Sequence, residues 1–315
     1  MATQRDFGTH AVKGVPVGAL LYNQGNSYFI DPTTGIAGNT GRTMRKARST
    51  LAGGYALLEA GQNDNLYYLN GTTSLSFATA TTTWAKNYTH FWGVGAPTRV
   101  GQRSRIFNSG DAAYPLMTIS ASGCSFGNMY WFDGTAHASA NCCTVSGSRN
   151  YFENIHFAGL GHATASAGTA SSTLMLTGSE NTFVNCTIGI DTIKRTGDNA
   201  IIFLDGGATR NQFINCRIVS WAETNTYPIV ELVDTLGADR YTIFENCLFY
   251  NFWTNHGGTL LEVFTIPASS ATHDIILKNC LSVGSVEWES GDRGQIFVDN
   301  IGGASTTGIG LAPAV

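Results

Sequence analysis

Two carboxylates in this chain are spaced as chemistry could use them. Glu231 lies in the run IVELVD (229–234) and Glu262 in LLEVF (260–264), two apolar runs of similar pattern. If each run is a strand and successive strands stack, Glu231 and Glu262 share an outward column with Phe203 and Phe297. On consecutive rungs they would stand about 5 Å apart, a separation that retaining glycosidases use. Two acids that close repel, which raises one pKa into the range of a general acid. Stacked rungs nevertheless bring any two acids of one column to this spacing without selection for catalysis. The expectation is therefore a solvated or interface-buried pair on a chain that is not an enzyme, with Glu231 and Glu262 as its only catalytic candidates.

The other reactive residue types form no constellation. Cys186, Cys216, Cys247 and Cys280 recur at one position of a repeat, so their sulfurs would run in a line, whereas zinc wants four converging ligands. They read as small buried hydrophobes. The seven histidines show no ligand spacing, and no P-loop, dinucleotide fingerprint or nucleophile elbow is present. No metal and no cofactor is expected.

What positions these residues is a repeat of about thirty residues. The segments NYFENIHF (150–157), NTFVNCTI (181–188), NQFINCRI (211–218), TIFENCLF (242–249) and DIILKNCL (274–281) align on Asn154, Asn185, Asn215, Asn246 and Asn279. A weaker copy, CSFGNMYW (124–131), places Asn128 one turn earlier. Two residues before the asparagine stand Phe152, Phe183, Phe213, Phe244 and Leu277; one after it stand Ile155 and the four cysteines. Alternation of apolar and variable positions is the period of a strand with one face buried. A second strand per repeat lies upstream, with Ile202 and Leu204, Val230 and Leu232, Leu261 and Val263, and Ile296 and Val298 facing inward. Helical repeats of similar length would need a helical period, which is absent, and propeller blades are longer. A coil of parallel strands remains. Asparagine suits its bends because it tolerates the left-handed conformation, and its amide could bond to the same residue one rung away, forming a ladder.

Composition agrees with many short strands and polar turns. Only 13% of residues are charged, with 37 glycines and 7 prolines. The net charge of -4 gives no reason to expect nucleic acid as a partner. No stretch approaches the roughly 18 apolar residues of a membrane span, so no membrane is expected, and 15–22 (VPVGALLY) is too short for a signal peptide. An odd number of cysteines, seven, points to assembly in a reducing cytoplasm without disulfides.

The open ends of such a coil need covers. Residues 43–60 place Met44, Ala47, Leu51, Tyr55 and Leu58 on one face at helical spacing, which predicts a capping helix started by Thr43 or Thr40. Arg42, Arg45, Lys46 and Arg48 at its start are candidates for docking a partner. The predicted division is an arm (1–27), an entry strand with the capping helix (28–63), a parallel β-helix (64–300) and a tail (301–315).

The entry YFIDPTTGIAGNTG (28–41), the helix after it and NLYYLNG (65–71) resemble the opening of pectin-lyase-like β-helix proteins, many of them encoded by tailed phages. The resemblance covers about residues 28–300 and implies an all-β, right-handed, single-stranded parallel β-helix. It is far less specific for activity, since this fold hosts lyases, hydrolases, adhesins and scaffolds. Phage relatives usually pack three β-helices about an axis, which implies a homotrimer. The first expectation is a capsid decoration (cement) protein of the virion, assembled in the host cytoplasm, with the major capsid protein or another virion protein as partner. The alternatives are a tail spike or fibre that binds, and could cleave, host surface polysaccharide, and a free polysaccharide lyase.

Overall fold

The computed structural model describes residues 25–76, 81–110, 114–232, 240–254, 259–266, 273–289 and 296–298, together with the backbone of Ala11–Val12 and Val15–Pro16, which pair antiparallel. The described residues form a right-handed parallel β-helix. Two parallel sheets run along it, a long one whose strands bend at the asparagine column and a second one of seven strands.

Side chains one repeat apart stand in register. On the long sheet Tyr28, Leu66, Phe91, Phe126, Phe152, Phe183, Phe213, Phe244, Leu277 and Val298 form one column. The rings of Phe152, Phe183, Phe213 and Phe244 lie nearly parallel, with centroids 4.5, 4.7 and 4.7 Å apart. That spacing is the strand separation itself, so one backbone repeat imposes offset stacking on the whole column. On the second sheet Trp84, Ile119, Val145, Leu176, Leu204 and Leu232 form the facing column. The two columns fill a single core.

Asn128, Asn154, Asn185, Asn215, Asn246 and Asn279 all adopt φ between 49° and 56°. Asn128 and Asn154 bend the chain within continuous strands, the other four bend it between two short strands, and the next residue turns inward. There Cys186, Cys216, Cys247 and Cys280 donate to the carbonyls of Phe152, Phe183, Phe213 and Phe244 one rung below, at 3.3 to 3.6 Å. Cys280 alone of the four is half-buried. The amide ladder is discontinuous. Asn154 donates to Asn128 at 3.0 Å and Asn279 to Asn246 at 2.7 Å, but the Asn185 oxygen is taken by Arg99, whose guanidinium also reaches the Asn215 carbonyl. Arg99 belongs to the segment 95–104, which crosses the outside of the sheet and displaces amide–amide contacts there.

The expected capping helix is broken into two short pieces. Met44–Lys46 is a single 3-10 turn, Ala47 is extended, and α1 spans only Leu51–Tyr55, with the Thr50 hydroxyl accepting from the Gly53 amide. Glycines 53 and 54 weaken a longer helix, and Arg48 instead pairs as a bridge with Ile30. Leu51 and Leu58 still reach the core, whereas Met44 is exposed. A second short helix, α2 (Ala163–Ala167), was not apparent from the sequence. The strand Ile296–Val298 pairs with Ile275–Leu277 on the long sheet, not with the second sheet, so Phe297 does not share a column with Glu231. Most of the arm and the whole tail lie outside the described residues.

Candidate active site

The second sheet carries Glu231 on its outer face, on the strand Val230–Leu232 next to Phe203. Its neighbour on the following rung is Thr265, not Glu262. The run 260–264 is split by a kink at Val263. Residues 260–262 pair with 285–287, and the Val263 carbonyl accepts from both Ile229 and Val230 amides. The kink shifts the register by three positions and turns Glu262 into a buried site, where it accepts from the Thr265 hydroxyl. The two carboxylates therefore flank Thr265 and do not form the expected stacked pair.

Glu231 has a different partner, one that the repeat did not reveal. Arg195 lies in the turn before the strand Ala200–Leu204 and bridges to Ala222. Asn251 holds that turn through two hydrogen bonds to the Ala222 backbone, both 2.9 Å. The Arg195 side chain is buried. Its Nε donates to Asn199 Oδ1 at 2.8 Å, one terminal nitrogen donates to the Ser220 hydroxyl at 3.0 Å, and the other has no hydrogen-bond partner among the described residues. Its guanidinium carbon lies 5.8 Å from the centre of the Tyr227 ring. Asn199 is fixed in turn by donating to the Ser166 and Gly168 carbonyls.

A buried guanidinium needs negative charge nearby. Glu231 and the exposed Asp198 supply it. Burial lowers the Arg195 pKa to about 10, with Asp198 and Glu231 pulling it back up, so it remains a cation. The Glu231 carboxyl is pushed up to about 7, first by burial and then by the charge of Asp198, against the opposing pull of Arg195. Burial outweighs the guanidinium here because Glu231 keeps no ion pair within salt-bridge distance among the described residues. A carboxyl near 7 is divided between its two protonation states at neutral pH and can give or take a proton.

No group of three or more His, Cys, Asp or Glu among the described residues is placed to hold a metal ion, and the charges acting on Glu231 are those of Asp198 and Arg195. The basic candidates lie elsewhere. Arg42, Arg45 and Lys46 are exposed at the N-terminal end, Arg42 over the Tyr28 ring, while Arg48 turns back and donates to the Ala37 carbonyl. Arg195, Asp198 and Tyr227 escaped the repeat because they occupy turns, where the periodicity stops. The trace of Arg195 and Asp198 in the sequence is the charged segment DTIKRTGD (191–198) in a chain of few charges.

No family model and no curated protein matches the chain. Solved structures do. Pectin methylesterase PemA from Erwinia chrysanthemi aligns over 90% of this chain and 84% of its own, at 15% identity and a TM-score of 0.54. A rhamnogalacturonan lyase aligns over 84% of this chain and 70% of its own, at 17% identity and 0.57. The chain shares their fold. A pectin methylesterase in complex with a hexasaccharide gives a TM-score of 0.51 at 16% identity, covering 84% of this chain and 81% of its own. The expectation that the chain is not an enzyme is thereby overturned. Its solved neighbours are a methylesterase and a lyase, and a carboxyl poised near neutral pH stands beside a buried arginine.

Proposed function

We propose that this chain acts on a polysaccharide, breaking a bond by proton transfer at Glu231. The observation that carries the reading is the cluster of Glu231, Asp198 and buried Arg195 at one corner of the second sheet. When protonated, Glu231 can deliver its proton to a departing oxygen; when ionised, it can draw one from an attacking water or an acidic C–H. Arg195 acts behind it as a positioning residue that limits how high the Glu231 pKa climbs, and Asp198 supplies a second carboxylate at the surface. The substrates named for the solved neighbours, pectin and rhamnogalacturonan, support a polysaccharide as the substrate class.

The setting we infer is a tail spike or fibre of a phage, supported by the sequence resemblance over residues 28–300. Against the first expectation, head decoration, the cluster at Glu231 favours a setting in which a polysaccharide is met. Counting copies on particles by imaging tests the setting: a few on the tail support it, hundreds on the head overturn it. For the activity, the protein is incubated with pectin, polygalacturonate and bacterial capsular polysaccharide while reducing ends, unsaturated ends and released methanol are followed. Product that disappears in Glu231→Gln supports the reading. No product on the panel, or undiminished product in the variant, overturns it.

A further inference from the structure

An open cleft of about 690 Å³ lies at the N-terminal end of the tube, within the size of ligand pockets. Leu69 and Val94, in register on adjacent strands and alternating with residues that face the core, line it together with Pro97. Met44 and Arg45 of the 3-10 turn line it as well. The chain on either side of that turn is fastened to the first strand, the Phe29 amide donating to the Gly41 carbonyl and the Arg48 amide to the Phe29 carbonyl. Met44 is thereby kept out of the core, at 40% exposed. The polar side chains of the cleft are largely committed. Asp31, nine-tenths buried, accepts from the Thr33 and Thr34 amides and the Thr34 hydroxyl, and the Asn70 side-chain oxygen accepts from the Ser104 hydroxyl. An occupant meets aliphatic walls and charge.

That charge is positive. Arg42, Arg45 and Lys46 are exposed, and none of them has a carboxylate partner among the described residues. Exposed cations further along the tube do have one. Arg149 and Arg210 share Glu180, Lys194 pairs with Glu223, and Lys278 pairs with Glu245. In a chain of net charge -4, the three cations of 42–46 are a local excess without a counter-charge.

We propose that this cleft docks a protein partner through a segment that carries aliphatic side chains flanked by carboxylates. The aliphatic groups pack on Met44, Leu69, Val94 and Pro97, and the carboxylates meet Arg45 and the two cations beside it. Protein interfaces are ordered in this way, with an apolar centre inside a polar rim. Three cations are few for a nucleic acid, whose affinity comes from neutralising many phosphates. A sugar would leave hydroxyls unbonded against the aliphatic walls, which costs free energy. The cleft stands five rungs from Glu231, which lies on the other sheet, roughly 24 Å along the axis. Its occupation does not depend on Glu231 being catalytic.

The test is fluorescence anisotropy of the full chain with a dye-labelled peptide, acetyl-Glu-Glu-Leu-Leu-Glu-Glu-amide. The peptide is expected to bind and to weaken with added salt. A control peptide with serines in place of the leucines should bind at least tenfold more weakly. Arg45→Glu, on an exposed side chain, should weaken binding of the leucine peptide at least tenfold. Ala96→Trp, also at an exposed position, fills the cleft and should abolish binding, while Glu231→Gln leaves it unchanged. Absence of peptide binding, equal binding of the serine peptide, or full affinity in Arg45→Glu or Ala96→Trp overturns the proposal. So does displacement of the peptide by trigalacturonate or by an oligothymidylate that binds more tightly, which would give the cleft to a sugar or to a nucleic acid.

Discussion

Glu231 stands directly against Thr265, and the Thr265 hydroxyl donates to Glu262. One hydroxyl thus separates two carboxylates, keeping Glu262 buried and leaving Glu231 to answer to Arg195 and Asp198. The outcome is a carboxyl whose pKa is raised first by burial and then by Asp198, not by a matched acid pair.

A carboxyl raised in the folded state binds its proton more tightly than in the unfolded chain. Glu231 therefore costs no stability below its ordinary value of 4.5 and increasingly opposes folding as pH rises from there through about 7. Solvent screening reduces the effect to on the order of 1 kcal/mol. Glu231→Gln is expected to flatten the pH dependence of Tm across that window while abolishing activity. A calorimetric pH series on both proteins checks it.

The Phe213 ring is sandwiched between Phe183 and Phe244, both at 4.7 Å. Phe213→Ala should cost about 3–5 kcal/mol, because the rungs above and below are pinned by their own hydrogen bonds and cannot collapse into the cavity. Phe213→Leu should cost less than half of that. Denaturant unfolding of the two variants measures the difference.

Asn215 has φ 55°, is exposed, and its side chain makes no hydrogen bond among the described residues. Its contribution is backbone conformation. Asn215→Ala should cost about 1–2 kcal/mol, whereas Asn215→Gly should be close to neutral. Equal losses in both would show that the amide matters more than the bend.

His156 fastens the segment 95–104. Its Nδ1 accepts from the Gly101 amide at 3.2 Å, so its Nε2 carries the proton and donates to the Gly189 carbonyl at 3.0 Å. Burial holds its pKa below the ordinary 6.5. The unfolded chain takes up this proton first, so the stability contributed by neutral His156 is complete above about 6.5 and lost as pH falls below it. Hydrogen exchange at Gly101, corrected for intrinsic rate, should quicken between pH 7.5 and 5. A His156→Gln variant should exchange at one pH-independent corrected rate.

Of the seven cysteines only Cys280 is half-buried. Its thiol is held protonated by its hydrogen bond with Cys247 and by burial. A thiol-reactive dye should label one cysteine slowly in the native protein and seven after unfolding, and mass spectrometry of the native adduct should place the label at Cys280.

The amino-acid sequence by itself determined the coil. Phe152, Phe183, Phe213 and Phe244, with asparagine two residues on, recur because every rung meets the same neighbours, and a constraint repeated along an axis is written repeatedly in the chain. What tertiary structure alone decided is where the repeat breaks. The kink at Val263 depends on carbonyl and amide partners from rungs on either side, and no local pattern announces it, so the Glu231 register could not be read from spacing. Arg195, Asp198 and Tyr227 come from turns of unequal length, whose path is set by the rungs they join. The Arg99 side chain reaches asparagines about a hundred residues away because the segment 95–104 lies across several rungs at once. Periodicity encodes contacts between like positions; contacts between unlike positions exist only once the chain is coiled.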